Sequence, residues 1–287
     1  MAGMRLSKIL AHKQISGLFK HYDVAKFHSS KLNTLFLLSK KGQQDRLLLR
    51  ISKSLNLGLV KKVSGRFGPK LIISSNKFNF CVERFIGGRH PAKTKKDIEM
   101  IAKNLKKLHN YEIKRNTDMS TDIINFKRLN LILANIRNNK NKQYVQLARN
   151  IKCFLKNRKM FEYFLRYANS QLSIIHGDLK YANILIKNNE AIFIDWDKIA
   201  YGDPAKDVAY LFVHDGFNNN QRNLFLNEYG SSGRFFQERV TVYITINILN
   251  DIYCYLEKGP TTYEADFIKT GFGFLNSVLS CSCKLLC

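Results

Sequence analysis

Residues 172–211 read LSIIHGDLKYANILIKNNEAIFIDWDKIAYGDPAKDVAYL, two short apolar runs with polar residues placed between and after them. The first run, Leu172–Ile175, reads as a strand that delivers His176-Gly177-Asp178 into a loop, with Asn183 five residues beyond that aspartate. A turn at Asn188-Asn189-Glu190 then folds the chain back into a second apolar strand, AIFID, which ends at Asp195. A carboxylate and an amide five residues apart in one loop can reach a common point. The hairpin brings a second carboxylate beside them.

Those groups suit phosphoryl transfer. The reaction asks little covalent chemistry of a protein; it needs a carboxylate to orient the attacking hydroxyl and oxygen ligands to hold magnesium on the phosphates. The pattern therefore makes Asp178 the candidate base, Asn183 a candidate magnesium ligand and Asp195 the principal one. Each residue alone carries nothing. Strand, H-x-D loop, amide, hairpin and strand-terminal aspartate together do.

Upstream, from about Asp23 to Arg89, the apolar period is two. Four segments read as strands: KLNTLFLLS, DRLLLRIS, KLIISS and FNFCVERFI, with KKGQQD and SSNK as turns. Gly87-Gly88 make a flexible joint. Beyond it Ile98, Ile101, Ala102, Leu105 and Leu108 recur at helical spacing, and helices are expected from there onward except around the hairpin. The fold class is α+β: a small antiparallel-sheet lobe over residues 1–88 and a larger, mainly helical lobe over 89–287.

Composition agrees with a globular chain, 45% hydrophobic and 24% charged over 287 residues. No apolar run approaches the roughly 18 residues of a membrane span, and Val240–Leu256 is interrupted by Asn247, Asn250 and Asp251, which fits a buried helix. The N-terminus has no apolar core or cleavage site of a secretory signal. Six cysteines at irregular spacing, three of them in the terminal CSCKLLC, read as reduced thiols of a cytoplasmic protein. The net charge is +25, but residues 1–170 hold 37 Lys and Arg against 9 Asp and Glu, and the remainder hold 10 against 13. The basic residues are dispersed and belong to no nucleic-acid motif, so no nucleic-acid partner is expected; a basic surface also suits nucleotide phosphates.

At IIHGDLKYANILI and AIFIDWDKIAYGDPAKDVAYL the sequence resembles the aminoglycoside phosphotransferases and choline/ethanolamine kinases, a branch of the protein-kinase-like fold. SSKLNTLFLL, DRLLLRIS, FGPKLI, CVERFIGGR and IAKNLKKLH are similar to other segments of that family, so the likeness covers about residues 25–215. The resemblance implies ATP and Mg2+ as cofactors and a two-lobed kinase-like architecture. It implies nucleotide-loop roles for Ser30 and Asn33, phosphate contact by Arg50, and adenine contact by the backbone of Glu83, Arg84, Phe85 and Ile86. His176 would support the loop, Asp197 would lie near metal or acceptor, and Asp207 would brace the catalytic loop. Two departures stand out. Ser29 and Ser30 occupy positions where the family carries glycines, and no Asp or Glu lies between Arg50 and Gly68, where the family places the acidic partner of its phosphate-binding residue. Arg50 is therefore expected to depend on ATP phosphates more than on a protein partner.

The acceptor is expected to be a small molecule bound by the C-terminal helices. That region is aromatic and slightly acidic, with Tyr243, Tyr253 and Tyr255 near Asp251 and Glu257, a composition suited to an ammonium group; Tyr253 is the candidate contact. Choline, ethanolamine or a similar amino alcohol is the first reading. Another hydroxyl compound (a sugar, a thiamine-like compound or an aminoglycoside) is the second, and a non-catalytic nucleotide-binding protein of the same fold the third.

Overall fold

In the computed structural model, residues 16, 20–29, 33–40, 42, 45–52, 55–114, 130–131, 133–134, 142–167, 172–230 and 233–258 are described, with backbone alone at 29, 113–114, 142–144, 147, 150 and 253–258. They form two compact units, 1–108 with 176–200 and 109–175 with 201–287. Residues 89–108 and 176–200 group with the N-terminal sheet in the first of these units.

The first unit is built on a five-stranded sheet of β1 (Asp23–Ser29), β2 (Asn33–Ser39), β3 (Arg46–Ser52), β4 (Leu71–Ser75) and β5 (Phe80–Arg84), in the order β1-β2-β3-β5-β4. All four expected strands are present and β1 adds a fifth. Alternation along the strands sends Phe36, Leu38, Leu47, Leu49, Phe80 and Val82 into one apolar cluster. The register fixes this: Phe36 faces Leu49, Leu38 faces Leu47 and Leu49 faces Val82. Because side chains alternate along a strand, Arg50 emerges on the opposite face, directly across from Cys81 and diagonal to Glu83.

Between β3 and β4 lies a short helix that the sequence pattern did not announce, α1 (Leu57–Val63), whose Asn56 side chain accepts the Leu59 amide. It buries Leu57, Leu59, Val60 and Val63 and carries Lys61 and Lys62 in its last turn. Next comes α2 (Lys95–Tyr111), which places Ile98, Ile101, Ala102, Leu105 and Leu108 on its buried face as the spacing requires.

The other contribution to this unit is the hairpin of β8 (Ile184–Lys187) and β9 (Glu190–Phe193). Its two-residue turn, Asn188-Asn189, has both φ angles positive, the geometry that matches strand twist and that asparagine tolerates. The hairpin is tied to the rest of the unit by main-chain bonds from Phe193 to Phe67 and between Arg89 and Ile186, and by the Asn104 amide donating to the Ala191 carbonyl at 2.9 Å. Gly68 lies so close to Trp196 that an added Cβ would stand 2.3 Å from its indole nitrogen.

The second unit holds the last turn of α2, a three-stranded sheet of β6 (Ile113–Lys114), β7 (Leu172–Ile175) and β10 (Ala200–Gly202), and the helices α3 (Lys142–Lys156), α4 (Arg158–Arg166), α5 (Ala205–His214), α6 (Asn219–Tyr229) and α7 (Phe236–Lys258). Phe212, Phe217, Phe225, Tyr229 and Phe236 pack as a chain of ring contacts in its core. Two sets of buried polar groups there are paired. His109 lies between Asp207 (3.1 Å) and the Tyr229 hydroxyl (2.7 Å), and Arg239 donates to Asp203 at 2.8 Å. Among the described residues no helix is long and apolar enough to cross a membrane.

The Asp203–Arg239 pair is almost wholly buried, whereas Arg158–Glu162 is an exposed pair on α4. Arg239→Met leaves a carboxylate in the core without its cation and is expected to cost about 3–5 kcal/mol of stability. Arg158→Met should cost about 0.3–0.5 kcal/mol. Urea denaturation of both variants checks this; similar midpoints would show that Asp203 is not held by Arg239.

Candidate active site

Every described residue that the sequence pattern marked for catalysis or metal binding falls in the first unit. Arg50 lies on the face of β3 opposite the apolar cluster, its side chain 5% exposed, and its guanidinium meets three carboxylates. One terminal nitrogen donates to Asp195 (2.5 Å) and Asp197 (3.1 Å); the other donates to Glu83 (3.5 Å). Against the expectation that Arg50 depends on phosphate more than on a protein partner, three protein carboxylates hold it here. The acid missing from 51–67 is supplied by the next strand over and by the end of the hairpin.

Charge explains the local chemistry. Burial alone would lower the Arg50 pKa, but Glu83, Asp197 and Asp195 outweigh it and raise it. Burial pushes the Glu83 and Asp197 carboxyls above their ordinary values, with Arg50 pulling each the other way and Asp195 adding to the rise. Three acids around one guanidinium leave negative charge in excess. One Asp197 oxygen, Oδ2, is buried without a hydrogen-bond partner.

The loop at 176–183 is fixed by its own polar groups. His176 Nε2 donates to the Ile194 carbonyl (2.8 Å) while Nδ1 accepts the Asp178 amide (3.3 Å), which defines the neutral tautomer and makes His176 a brace. The Asn183 amide nitrogen donates to the Asp178 carbonyl (2.9 Å) and to Oδ2 of its carboxylate (3.2 Å), so the lone pairs this side chain has to offer are on Oδ1. Lys198 reaches Asp178 Oδ1 at 2.6 Å, and Lys180 approaches Oδ2 at 3.3 Å. Asp195 sits at φ +65°, a left-handed conformation that aspartate tolerates better than most residues.

These oxygens suit a hard divalent cation. Magnesium takes one or two carboxylates and leaves its other positions to water and phosphate, so no dedicated cage is required. Asp195, Asn183 Oδ1 and the unpartnered Asp197 oxygen are the donors present, all oxygen and with negative charge in excess. They fit.

The other predicted residues are placed as follows. Asn33 opens β2 opposite Ser52, and Ser30 lies outside the described residues. Of the adenine-contact segment, the Arg84 and Phe85 amides donate to the carbonyls of Lys70 and Arg46, whereas among the described bonds the Ile86 amide is not used. Glu83 is a buried strand residue whose side chain is committed to Arg50. Arg84 is exposed beside Asp45, and the Phe85 ring lies under the Arg46 guanidinium. Asp207 is bonded to His109 within the second unit. Tyr253 lies on α7 by its backbone, its side chain being outside the description, as are the terminal cysteines. Sequence reasoning missed Lys198 and the Glu83 side chain. Lys198 stands only three residues beyond Asp195, a nearness that could have singled it out.

With this geometry in hand, the comparisons are specific. Residues 45–239 match the sequence profile of the phosphotransferase enzyme family. The chain belongs to that family. A protein LicA homolog of Metamycoplasma hominis is 28% identical over 169 residues, which cover 54% of this chain and 63% of the relative, less than two thirds of its length. The structure of choline kinase LicA from Streptococcus pneumoniae superposes with a TM-score of 0.62 at 18% identity, covering 96% of this chain and 99% of that one. An ADP-bound aminoglycoside phosphotransferase gives 0.58 at 16%, covering 93% and 95%. At such identities the structural likeness establishes the fold, which is the kinase-like one expected.

Gly177, at φ +81°, passes so close to the Lys198 main chain that a Cβ would stand 2.3 Å from its carbonyl oxygen. Gly87 has nothing within 4 Å of the same position. Gly177→Ala is therefore expected to lose about 1–3 kcal/mol of stability, and Gly87→Ala to stay within about 0.5 kcal/mol of the parent. Equal melting temperatures would mean the loop can move off Lys198 freely.

Proposed function

We propose that this chain is an ATP- and Mg2+-dependent kinase that phosphorylates the hydroxyl of a small molecule, choline, ethanolamine or a similar amino alcohol. The observation that carries the reading is one unit holding Asp178, Asn183, Asp195 and Arg50 together in bonded contact or close sequence. Family membership supports phosphoryl transfer, and the ADP in a structural neighbour supports the nucleotide. The amino-alcohol reading is supported by likeness to a LicA homolog and to the choline kinase LicA structure.

In the reaction, Asp178 orients the acceptor hydroxyl and takes its proton as the oxygen bonds to the γ-phosphorus and the bridge to ADP breaks. Both carboxylate oxygens of Asp178 are occupied by nitrogen donors, so one must be yielded. Lys198, with its side chain 58% exposed, is the partner able to leave. Asn183 keeps Asp178 oriented through its backbone and carboxylate together. Arg50 would turn toward the phosphates the nitrogen now bonded to Asp195 and Asp197, with Glu83 keeping the other. Asp195, Asn183 and Asp197 would hold Mg2+, which supplies positive charge against the phosphate oxygens. Use of ATP and the reduced, buried thiol of Cys81 support a cytoplasmic setting.

The test is an ATP-consumption screen of purified protein against choline, ethanolamine, thiamine, sugars and aminoglycosides, with and without magnesium. Turnover restricted to amino alcohols is the expected result; turnover of a neutral sugar alone would remove the acceptor assignment, and none at all the kinase assignment. Two variants separate the roles. Asp178→Asn should abolish turnover while binding a fluorescent ATP analogue nearly as the parent does, and Asp195→Ala should lose turnover and weaken magnesium-dependent nucleotide binding as well. Equal loss of binding in both would contradict the division of labour.

A further inference from the structure

Resting on the nucleotide reading above, we infer that Glu83 is the positioning residue that fixes Arg50 for phosphate contact, a role carried by its side chain from the middle of the sheet. The three acids at Arg50 are not equivalent. Asp195 is 41% exposed at its side chain and Asp197 14%, and both bond the same guanidinium nitrogen. Glu83 is 7% exposed and takes the other nitrogen. Asp195 and Asp197 also carry the oxygens suited to a cation, and any nucleotide complex draws on them. Glu83 faces no such competition.

The register makes this arrangement a property of the fold. Arg50 pairs with Cys81, Leu48 with Glu83, and same-face diagonal neighbours on adjacent antiparallel strands lie within reach of long side chains. β5 is flanked on both sides, by β3 and β4, so the Glu83 backbone is held from two directions. The helix between β3 and β4 offers no alternative, since α1 contains no acid and two lysines. Burying a carboxylate is unfavourable unless a cation and hydrogen bond accompany it, and among the bonds described for Glu83 the Arg50 guanidinium is that cation.

The experiment is titration of the full chain with a fluorescent ATP analogue in magnesium, without acceptor, for the parent, Glu83→Gln and Glu83→Asp, with thermal melting of each. Glu83→Gln keeps size and removes charge; it is expected to weaken nucleotide binding roughly tenfold. Glu83→Asp keeps charge but withdraws it by one methylene, and should fall between parent and Gln. In steady-state assays the loss should appear in the KM for ATP and leave the KM for the acceptor unchanged, a split that a general packing defect would not give. In the cycle with Arg50→Lys, adding Glu83→Gln should cost less than it does in the parent. Nucleotide binding by folded Glu83→Gln within twofold of the parent overturns the inference, as does full additivity in the cycle. Should Glu83→Gln lose its melting transition, Glu83→Asp decides: binding as tight as the parent overturns the inference, and weaker binding with an unchanged acceptor KM supports it. A parent protein that binds no nucleotide overturns the functional reading first and takes this inference with it.

Discussion

Taking a guanidinium out of water costs several kcal/mol unless opposite charge and hydrogen bonds go with it. The sheet face around Arg50 meets that requirement from two places far apart in sequence, β5 and the segment after β9. This one cluster therefore joins the N-terminal sheet to the hairpin that carries the metal-type ligands. The surrounding contacts serve the same end. Phe67 and Gly68 seat Phe193 and Trp196, the Trp196 indole donates to the Phe193 carbonyl at 2.9 Å, and His176 takes the carbonyl of Ile194 between them. The polar loop and the strand end are held at fixed separation before any ligand arrives.

Preorganisation of this kind matters most where charge develops during reaction. Asp178 is not free to rotate, since Asn183 holds both its backbone and its carboxylate and His176 accepts its amide. Its two lysine neighbours, Lys180 and Lys198, set positive charge directly beside the carboxylate. The hinge segment presents a simpler picture: with the Arg84 and Phe85 amides used by neighbouring strands, Ile86 is where the backbone turns from sheet to linker.

The loop that holds Asp178 and Asn183 and the hairpin after it were legible because they depend on local spacing, although β9 ends at Phe193, two residues before Asp195. An H-x-D loop between strands needs only a few residues to declare itself. The four strands and the face of α2 were legible for the same reason, through periods of two and of three to four. The partner of Arg50 was not. Glu83 reaches it because β5 lies beside β3, with β4 displaced to the edge, and strand order of that kind leaves no trace in local pattern. Likewise α1 spans only seven residues with a Gly second, too short to establish a period. Nearness to Asp195 marked Lys198, but its partner Asp178 is 20 positions away across a hairpin, a pairing that local pattern does not give. The compact units also departed from the glycine joint, since a flexible dipeptide marks where a chain can bend and says little about which later segment packs back.

The interleaved chain path has a consequence for synthesis. The sheet of the first unit emerges from the ribosome early, yet its unit is closed by residues 176–200, made after the whole of 109–175. Until then Arg50 lacks two of its three acids and Phe67 lacks its hairpin partner. The nascent sheet must wait with a basic, partly uncovered face while residues 109–175 of the second unit are translated. Chain segments left exposed during elongation are where chaperones act and where pairing errors begin. For this protein that interval opens at β5 and ends when Asp197 leaves the exit tunnel.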